Sequence, residues 1–302
     1  MKSSARFGLN LVARFVRFFK HLNVGILVEM IHRSGQNRLP GLSAEIAYSA
    51  IFALFPAILT VFTAIGLLNI PESEFRNFLR QLHDIIPNEA MALIQEFLRQ
   101  LRTGHNEGLF SLSFVVSIWV SSNVLGATMA ALDQIHRIPR SRVRPFWKAK
   151  LVSIGLSLGT FLLFVIALLL IFISDLSVKL VAERSGTMSH NVFRLWHWLS
   201  LPIALGIVAL TFGFIYRYGT SRWRKGTPIM PGAILATLLW AMLSGLFRLY
   251  VSHFGNYNQA YGAIGAVIVL LLWLYLSAFS MLLGSQLNVV VGEAMHRKRK
   301  RE

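Results

Sequence analysis

The chain contains no cysteine, which excludes disulfides, Cys-ligated zinc and thiol nucleophiles. Acids are scarce: 13 Asp and Glu stand against 30 Lys and Arg, for a formal net charge of +17. Charged residues of both signs make up only 14% of the sequence and hydrophobic residues 55%, with a mean hydropathy of +0.57. Long polar stretches are missing too. The longest segment between apolar runs is about 40 residues, near the size at which a lone core fails without staples, so no separate soluble domain is expected. Near the N-terminus Arg14, Arg17 and Lys20 interrupt any apolar run. That predicts no cleavable signal, with insertion beginning at the first span.

What the chain does have is six strongly apolar stretches: Leu42–Leu68, Leu109–Leu132, Leu151–Ser174, Leu199–Tyr216, Gly232–Leu249 and Gly262–Leu283. Each is long enough to cross a ~30 Å hydrocarbon core at about 1.5 Å per helical residue. Lys and Arg alternate in density between them. Of the 30, 22 fall in the first segment, the two loops 133–150 and 217–231 and the C-terminal segment, 7 fall in the other three loops, and Arg248 lies inside a span. By the positive-inside rule both termini are cytoplasmic. Of the 13 acids, 6 lie in the first external segment, so the basic excess is topology, and no nucleic-acid partner is expected. The predicted fold is an all-α integral membrane protein with six transmembrane helices, in three parts. Residues 1–38 form a basic amphipathic interfacial helix, 39–292 the membrane domain, and 293–302 a basic cytoplasmic tail.

In the first part Phe7, Leu11, Phe15, Phe18 and Leu22 recur at helical spacing with Arg6, Arg14, Arg17 and Lys20 between them. Such a helix lies in the cytoplasmic interface with its cations near anionic headgroups. Gly35 to Gly41, with Pro40, breaks it. Glu45 follows, near the cytoplasmic end of span one; it either reaches headgroup water or needs a partner or a watery cavity. Pro56, at mid-span, removes a backbone hydrogen bond and predicts a kink or a break near Phe52. Between spans one and two, residues 72–104 read as an external hairpin of two amphipathic helices, separated at Pro87 and Asn88.

Span two carries Ser111, Ser113, Ser117, Ser121, Ser122, Asn123 and Thr128. Such residues suit a buried helix that packs closely, or a polar lining. The two basic cytoplasmic loops offer Arg140, Arg142, Arg144, Arg222, Arg224 and Lys225 to anionic headgroups, although topogenic charge explains them equally well. The run Arg248 to Gly262 holds one cation, His253 and a set of amides and phenols including Tyr257 and Tyr261. A cation among hydroxyls and amides suits a phosphate or carboxylate, and snorkelling of Arg248 to outer headgroups is the plainer reading. Glu45 and Arg248 belong to opposite faces and do not pair.

Several runs carry a resemblance: Leu42-Ser-Ala-Glu-Ile-Ala-Tyr48 leading to Leu54-Phe55-Pro56, then Pro231-Gly232-Ala233, Tyr261-Gly262-Ala263, Trp273-Leu274-Tyr275 and Leu283-Gly284-Ser285-Gln286-Leu287-Asn288. Over residues 25–292 the chain resembles the YihY/BrkB family of bacterial inner-membrane proteins. Asp133 stands where that family tends to have Asn, and Gln286 where Glu is common, which removes a carboxylate a proton-coupled step would use. The resemblance implies a six-helix inner-membrane protein, linked by name to serum resistance, to virulence, to transport of lipids or solutes, and to a ribonuclease label regarded as a misassignment.

A nuclease needs an acid cluster or paired histidines around a metal, and neither an HExxH spacing nor a Gly-rich phosphate loop occurs. The expectation is a non-enzymatic protein with no cofactor and no bound metal. It would be a transporter or lipid-translocating protein of the bacterial inner membrane, moving an amphipathic or anionic lipid or a small solute by alternating access. The expected substrate path comprises Glu45, Pro56, Asn123, Arg248, His253, Tyr257, Tyr261, Gly262, Gln286 and Asn288. Pro56 and a Gly262–Gly265 turn serve as hinges. Anionic lipids are the expected partners, with a homo-oligomer and an envelope protein as further ones. The alternatives are a membrane scaffold of an envelope complex and an oligomeric channel.

Overall fold

The computed structural model describes residues 24–67, 107–163, 166, 189–223, 227, 229–254 and 257–299. Every regular element among them is helical. These are α1 (Val24–Gln36), α2 (Leu39–Leu67), α3 (Glu107–Ile135), α4 (Phe146–Leu163), α5 (Ser189–Gly219), α6 (Met230–Phe254) and α7 (Tyr257–Arg299), with a 3-10 turn at Arg140–Arg142. Five stretches within α3 to α7 are long and apolar enough to cross a membrane: Val115–Ile135, Phe146–Leu163, Pro202–Gly219, Met230–Tyr250 and Val267–Arg297. In α2 the apolar stretch is shorter than these, Leu39–Leu54. The N-terminal stripe with Arg14, Arg17 and Lys20, the expected hairpin 72–104, and Arg224 and Lys225 lie outside the described residues.

Two expectations change, the break at Pro56 and the Gly262–Gly265 turn. Pro56 sits inside a continuous α2, so the helix is not broken there. Its freed carbonyl belongs to a chain that stays helical on both sides, as membrane helices tolerate where neighbours restore the lost contact. Gly262 and Gly265 form no turn: α7 is one helix of 43 residues that begins at Tyr257 and carries both glycines in its first turns. The same helix runs on to Arg299, so most of the expected basic tail is a continuation of it. Length explains the difference, because apolar packing over many turns carries a helix through single glycines that each cost only about 1 kcal/mol.

Two junctions are fixed by left-handed arginines. α1 ends at Asn37 and Arg38, where Arg38 takes φ 53° and its N–H donates to the Gly35 carbonyl at 3.0 Å. α3 ends the same way at Arg137, φ 50°, with Arg137 N–H bonding Gln134 O and Ile138 N–H bonding Asp133 O, each at 3.0 Å. The paired bonds and following Pro139 make this second stop a Schellman turn. A non-glycine in this region stores about 1 kcal/mol or more of strain. Both arginines also lie at helix C-termini, where a cation is favoured.

Packing is uneven along the bundle. α2 packs chiefly on α3 and α7, and α6 on α7 and α5. The largest cluster of buried residues gathers at one end: Leu39 and Ile46 of α2, Leu132 and Ile135 of α3, Tyr216 of α5, Ala233 and Ala236 of α6, and Met281, Leu282 and Val289 of α7. No described large hydrophobic is exposed in α2 before Tyr48, in α3 after Trp119, in α6 before Leu238 or in α7 after Leu272, whereas beyond those points many are. In these four helices the apolar exposure therefore begins well above the buried end, whereas α1 and the first turn of α4 expose large hydrophobics throughout. Tyr48 is about 16 Å along α2 from Asn37, Trp119 about 22 Å along α3 from Gln134, and Leu272 about 21 Å along α7 from Gln286.

Candidate functional site

The buried end is built around polar side chains. Asn37, in the α1–α2 turn, donates from Nδ2 to Gln286 Oε1 at 2.8 Å, and its own carbonyl accepts from Gln134 Nε2 at 2.9 Å. These three residues thus join the α1–α2 turn, α3 and α7. Half a turn along α7, on its opposite face, Asn288 spans the start of α6: Oδ1 accepts from Gly232 N–H at 2.9 Å and Nδ2 donates to Ile229 O at 2.9 Å. Gln286 and Asn288 are fully buried. Helix starts leave backbone N–H groups without intrahelical partners, and Asn288 supplies one acceptor from a neighbouring helix.

Asn288 can do this because α6 and α7 cross at glycines. A Cβ on Gly232 would lie 2.2 Å from Gly284 O, and one on Gly284 would lie 2.3 Å from Gly232 O and 2.7 Å from the Tyr216 hydroxyl. Tyr216, also fully buried, donates its hydroxyl hydrogen to Met281 O at 2.5 Å. Satisfaction at the crossing is incomplete. Gln286 Nε2 and Ser285 Oγ, on residues at 0% and 1% exposure, have no hydrogen-bond partner among the described residues.

Below the crossing, α1 is clamped to α7 by charge. Arg33, 6% exposed, donates from Nε to Glu29 Oε1 at 2.7 Å and from Nη1 to Glu293 Oε2 at 2.8 Å. Burial alone would weaken this cation; the hydrogen bonds and charges of the two carboxylates reverse that and hold its pKa above the usual arginine value. Glu29 is held below its ordinary 4.5 by the hydrogen bond from Arg33 and then by that residue's charge. Beside Glu293 opens a small, shallow cleft lined by His136, Thr227, Val289, Gly292, Glu293 and His296. His136 also packs against the Trp223 ring, 5.1 Å between centroids. No group of three His, Cys, Asp or Glu side chains able to hold a metal ion occurs among the described residues.

A third cluster joins the two basic loops. The Arg144 guanidinium donates to the carbonyls of Gly219 at 2.8 Å, Thr220 at 2.9 Å and Tyr218 at 3.0 Å, which closes the C-terminus of α5. Asp133, at the end of α3, accepts from the Ser221 N–H at 2.7 Å and from its hydroxyl. Desolvation lowers the Arg144 pKa and the Asp133 charge opposes it.

The expected path residues are dispersed. Glu45 is exposed on α2. Asn123 is exposed on α3, where Lys150 Nζ bonds its Oδ1 at 2.8 Å and sits 4.1 Å over the Trp119 ring. Arg248 is exposed near the far end of α6; His253 follows on the same helix, and Tyr257, Tyr261 and Gly262 open α7. Pro56 lies within α2, and Gln286 and Asn288 alone belong to the buried crossing. Arg140, Arg142 and Arg222 are exposed, whereas Arg144 is taken up by carbonyls. Residues that sequence reading passed over are Arg33, Glu293, Asn37 and Tyr216. The one local signal was Asn37-Arg38 between Gly35 and Pro40, a stop with a side chain able to cap.

These apolar helices tied at one polar end define an all-helical membrane protein. The chain matches the family model described as Virulence factor BrkB over residues 30–302, and it belongs to that family. It is 27% identical over 277 residues to a Bacillus subtilis (strain 168) protein named ribonuclease-like, YfkH, covering 92% of this chain and 97% of the relative. It is 28% identical over 271 residues to a UPF0761 membrane protein of Stenotrophomonas maltophilia (strain K279a), covering 85% of this chain and 58% of the relative, so it spans little more than half that protein. A UPF0761 membrane protein of Tolumonas auensis is 25% identical over 282 residues, 86% of this chain and 83% of the relative. No solved structure matches.

Proposed function

We propose that the protein is a transporter or lipid-translocating protein of the bacterial inner membrane, with six spans, both termini in the cytoplasm, and a conformation closed at the cytoplasmic end. The orientation follows from the Lys and Arg distribution, which puts the tied end of the bundle on the side of the basic loops. The observation that carries the reading is the crossing of α6 and α7. It seals the bundle by backbone contact at Gly232 and Gly284, while beside it on α7 Gln286, which faces Asn37 of the α1–α2 turn, and Ser285 leave Nε2 and Oγ buried without partners among the described residues. Each such group costs about 1–3 kcal/mol while dry, and hydration on opening returns it. A seal with that built-in bias toward opening suits alternating access.

The relative named ribonuclease-like lends no chemistry to this chain, for which we propose no catalytic activity. The test is reconstitution of the purified protein in liposomes, scoring scrambling of labelled phospholipid and gradient-driven solute uptake together. Activity in either assay above protein-free vesicles is expected. Silence in both, with the protein shown folded by its unfolding transition, would replace the carrier with a scaffold.

A further inference from the structure

The two basic loops are separate in sequence and one object in the structure. Arg144 binds three successive carbonyls of the second loop, the Arg144 N–H donates to Ser221 Oγ at 3.3 Å, and Asp133 holds Ser221 from α3. The stitch consumes Arg144 and Asp133 and leaves the other cations outside it. Arg140, Arg142, Lys148, Arg217 and Arg222 are all exposed, and none of them forms a salt bridge among the described residues, where both ion pairs belong to Arg33. The one carboxylate of the stitch, Asp133, is 7% exposed and turned to Ser221.

Next to these cations stand two large aromatic side chains with little cover. Phe146 and Trp147, the first residues of α4, are 68% and 71% exposed, and their rings meet edge to face at 5.3 Å. Above them the same helix exposes Leu151, Leu158, Phe161 and Leu162, an apolar face made for acyl chains. Exposed aromatics at the polar end of a lipid-facing helix occupy the headgroup boundary. Cations there attract an anionic headgroup phosphate by charge.

We propose that the stitched loops form a binding platform for anionic phospholipid of the inner leaflet. Arg140, Arg142 and Lys148 hold the headgroup phosphate, and Phe146 and Trp147 seat among the upper carbons of the chains. Arg144 is the positioning residue that makes two loops into one platform, and touches no lipid. The proposal rests on the orientation given above and is independent of transport, since lipid preference is read without any flux.

The probe is bromine-labelled lipid in phosphatidylcholine vesicles containing the full chain, with Trp147 fluorescence obtained by difference from Trp147→Phe. Brominated phosphatidylglycerol should quench Trp147 more strongly than brominated phosphatidylcholine. Arg140→Gln, Arg142→Gln and Lys148→Gln together should lower the relative affinity on the order of a hundredfold at low salt, because each cation near such a surface contributes several-fold. Arg140→Lys with Arg142→Lys should keep the preference. Equal quenching by the two lipids, a preference that survives the glutamine triple, or its loss in the lysine pair would each overturn the proposal. Displacement by inorganic phosphate at constant ionic strength would also overturn it, by assigning the cations to a free anion.

Discussion

The tied end and the apolar belt of this protein use opposite means of cohesion. At the tied end, backbones meet at Gly232 and Gly284, Tyr216 and Asn288 are fully buried, and an ion pair holds α1 to α7. Along the belt, at most a third of the residues in any of the five apolar windows is buried. In a bilayer, lipid tails are as apolar as leucine, so exposed side chains such as Leu158, Leu246 and Ile268 gain little by meeting one another. The contrast teaches that specificity of packing resides in small residues and amides at the tied end.

Substitutions sharpen that contrast. The largest effect belongs to Gly284→Ala, whose new methyl would meet Gly232 O, Ala236 Cβ and the Tyr216 hydroxyl; backbone cannot yield locally, and we expect about 3 kcal/mol or more of destabilisation in detergent unfolding. Glu293→Gln, which leaves Arg33 buried with only Glu29, should cost about 2 kcal/mol, less than a fully buried pair because Glu293 is partly exposed. Asn288→Ala strands the Gly232 N–H and leaves the Ile229 carbonyl only its bond from the Ala233 N–H, and a loss of about 1–3 kcal/mol is expected. Gly245→Ala on α6, exposed in the belt where a Cβ meets nothing within 4 Å, should instead raise stability by about 0.5–1 kcal/mol, and a destabilisation there would break the distinction between the two regions.

A smaller, pH-dependent effect comes from Glu29. Its carboxyl is depressed in the folded protein, so its contribution is complete above pH 4.5 and is lost as pH falls through the lower folded value. The thermal midpoint of the parent should therefore fall more steeply than that of Glu29→Gln on acidification below that pH. Parallel curves for the two proteins would remove the Arg33–Glu29 pair as a contributor.

Hydropathy alone marked the helices, and the side of the charges gave an orientation, because both are local sums along the chain. The tied end was less legible. Gly232 and Asn288 were visible as members of motifs, but their pairing, like that of Asn37 and Gln286 across 249 positions, depends on which helices cross, which periodicity does not encode. Arg144 looked like one more loop cation, since nothing in its neighbours distinguishes a side chain that caps a helix from one that faces water. Pro56 and the Gly262–Gly265 pair misled in the other direction. Each weakens a helix locally, and the length of α2 and α7 outweighs them.

The absence of cysteine allows a direct test of whether the sealed end must open. A Cβ on Gly292 of α7 lies 3.5 Å from Thr227 Cβ in the α5–α6 loop, within the range a disulfide spans. The measurement is flux through liposomes containing the Thr227→Cys, Gly292→Cys protein, oxidised and then reduced, with the cross-link verified by mass. A carrier that opens at this end should lose flux on oxidation and recover it on reduction; equal flux in both states would contradict it.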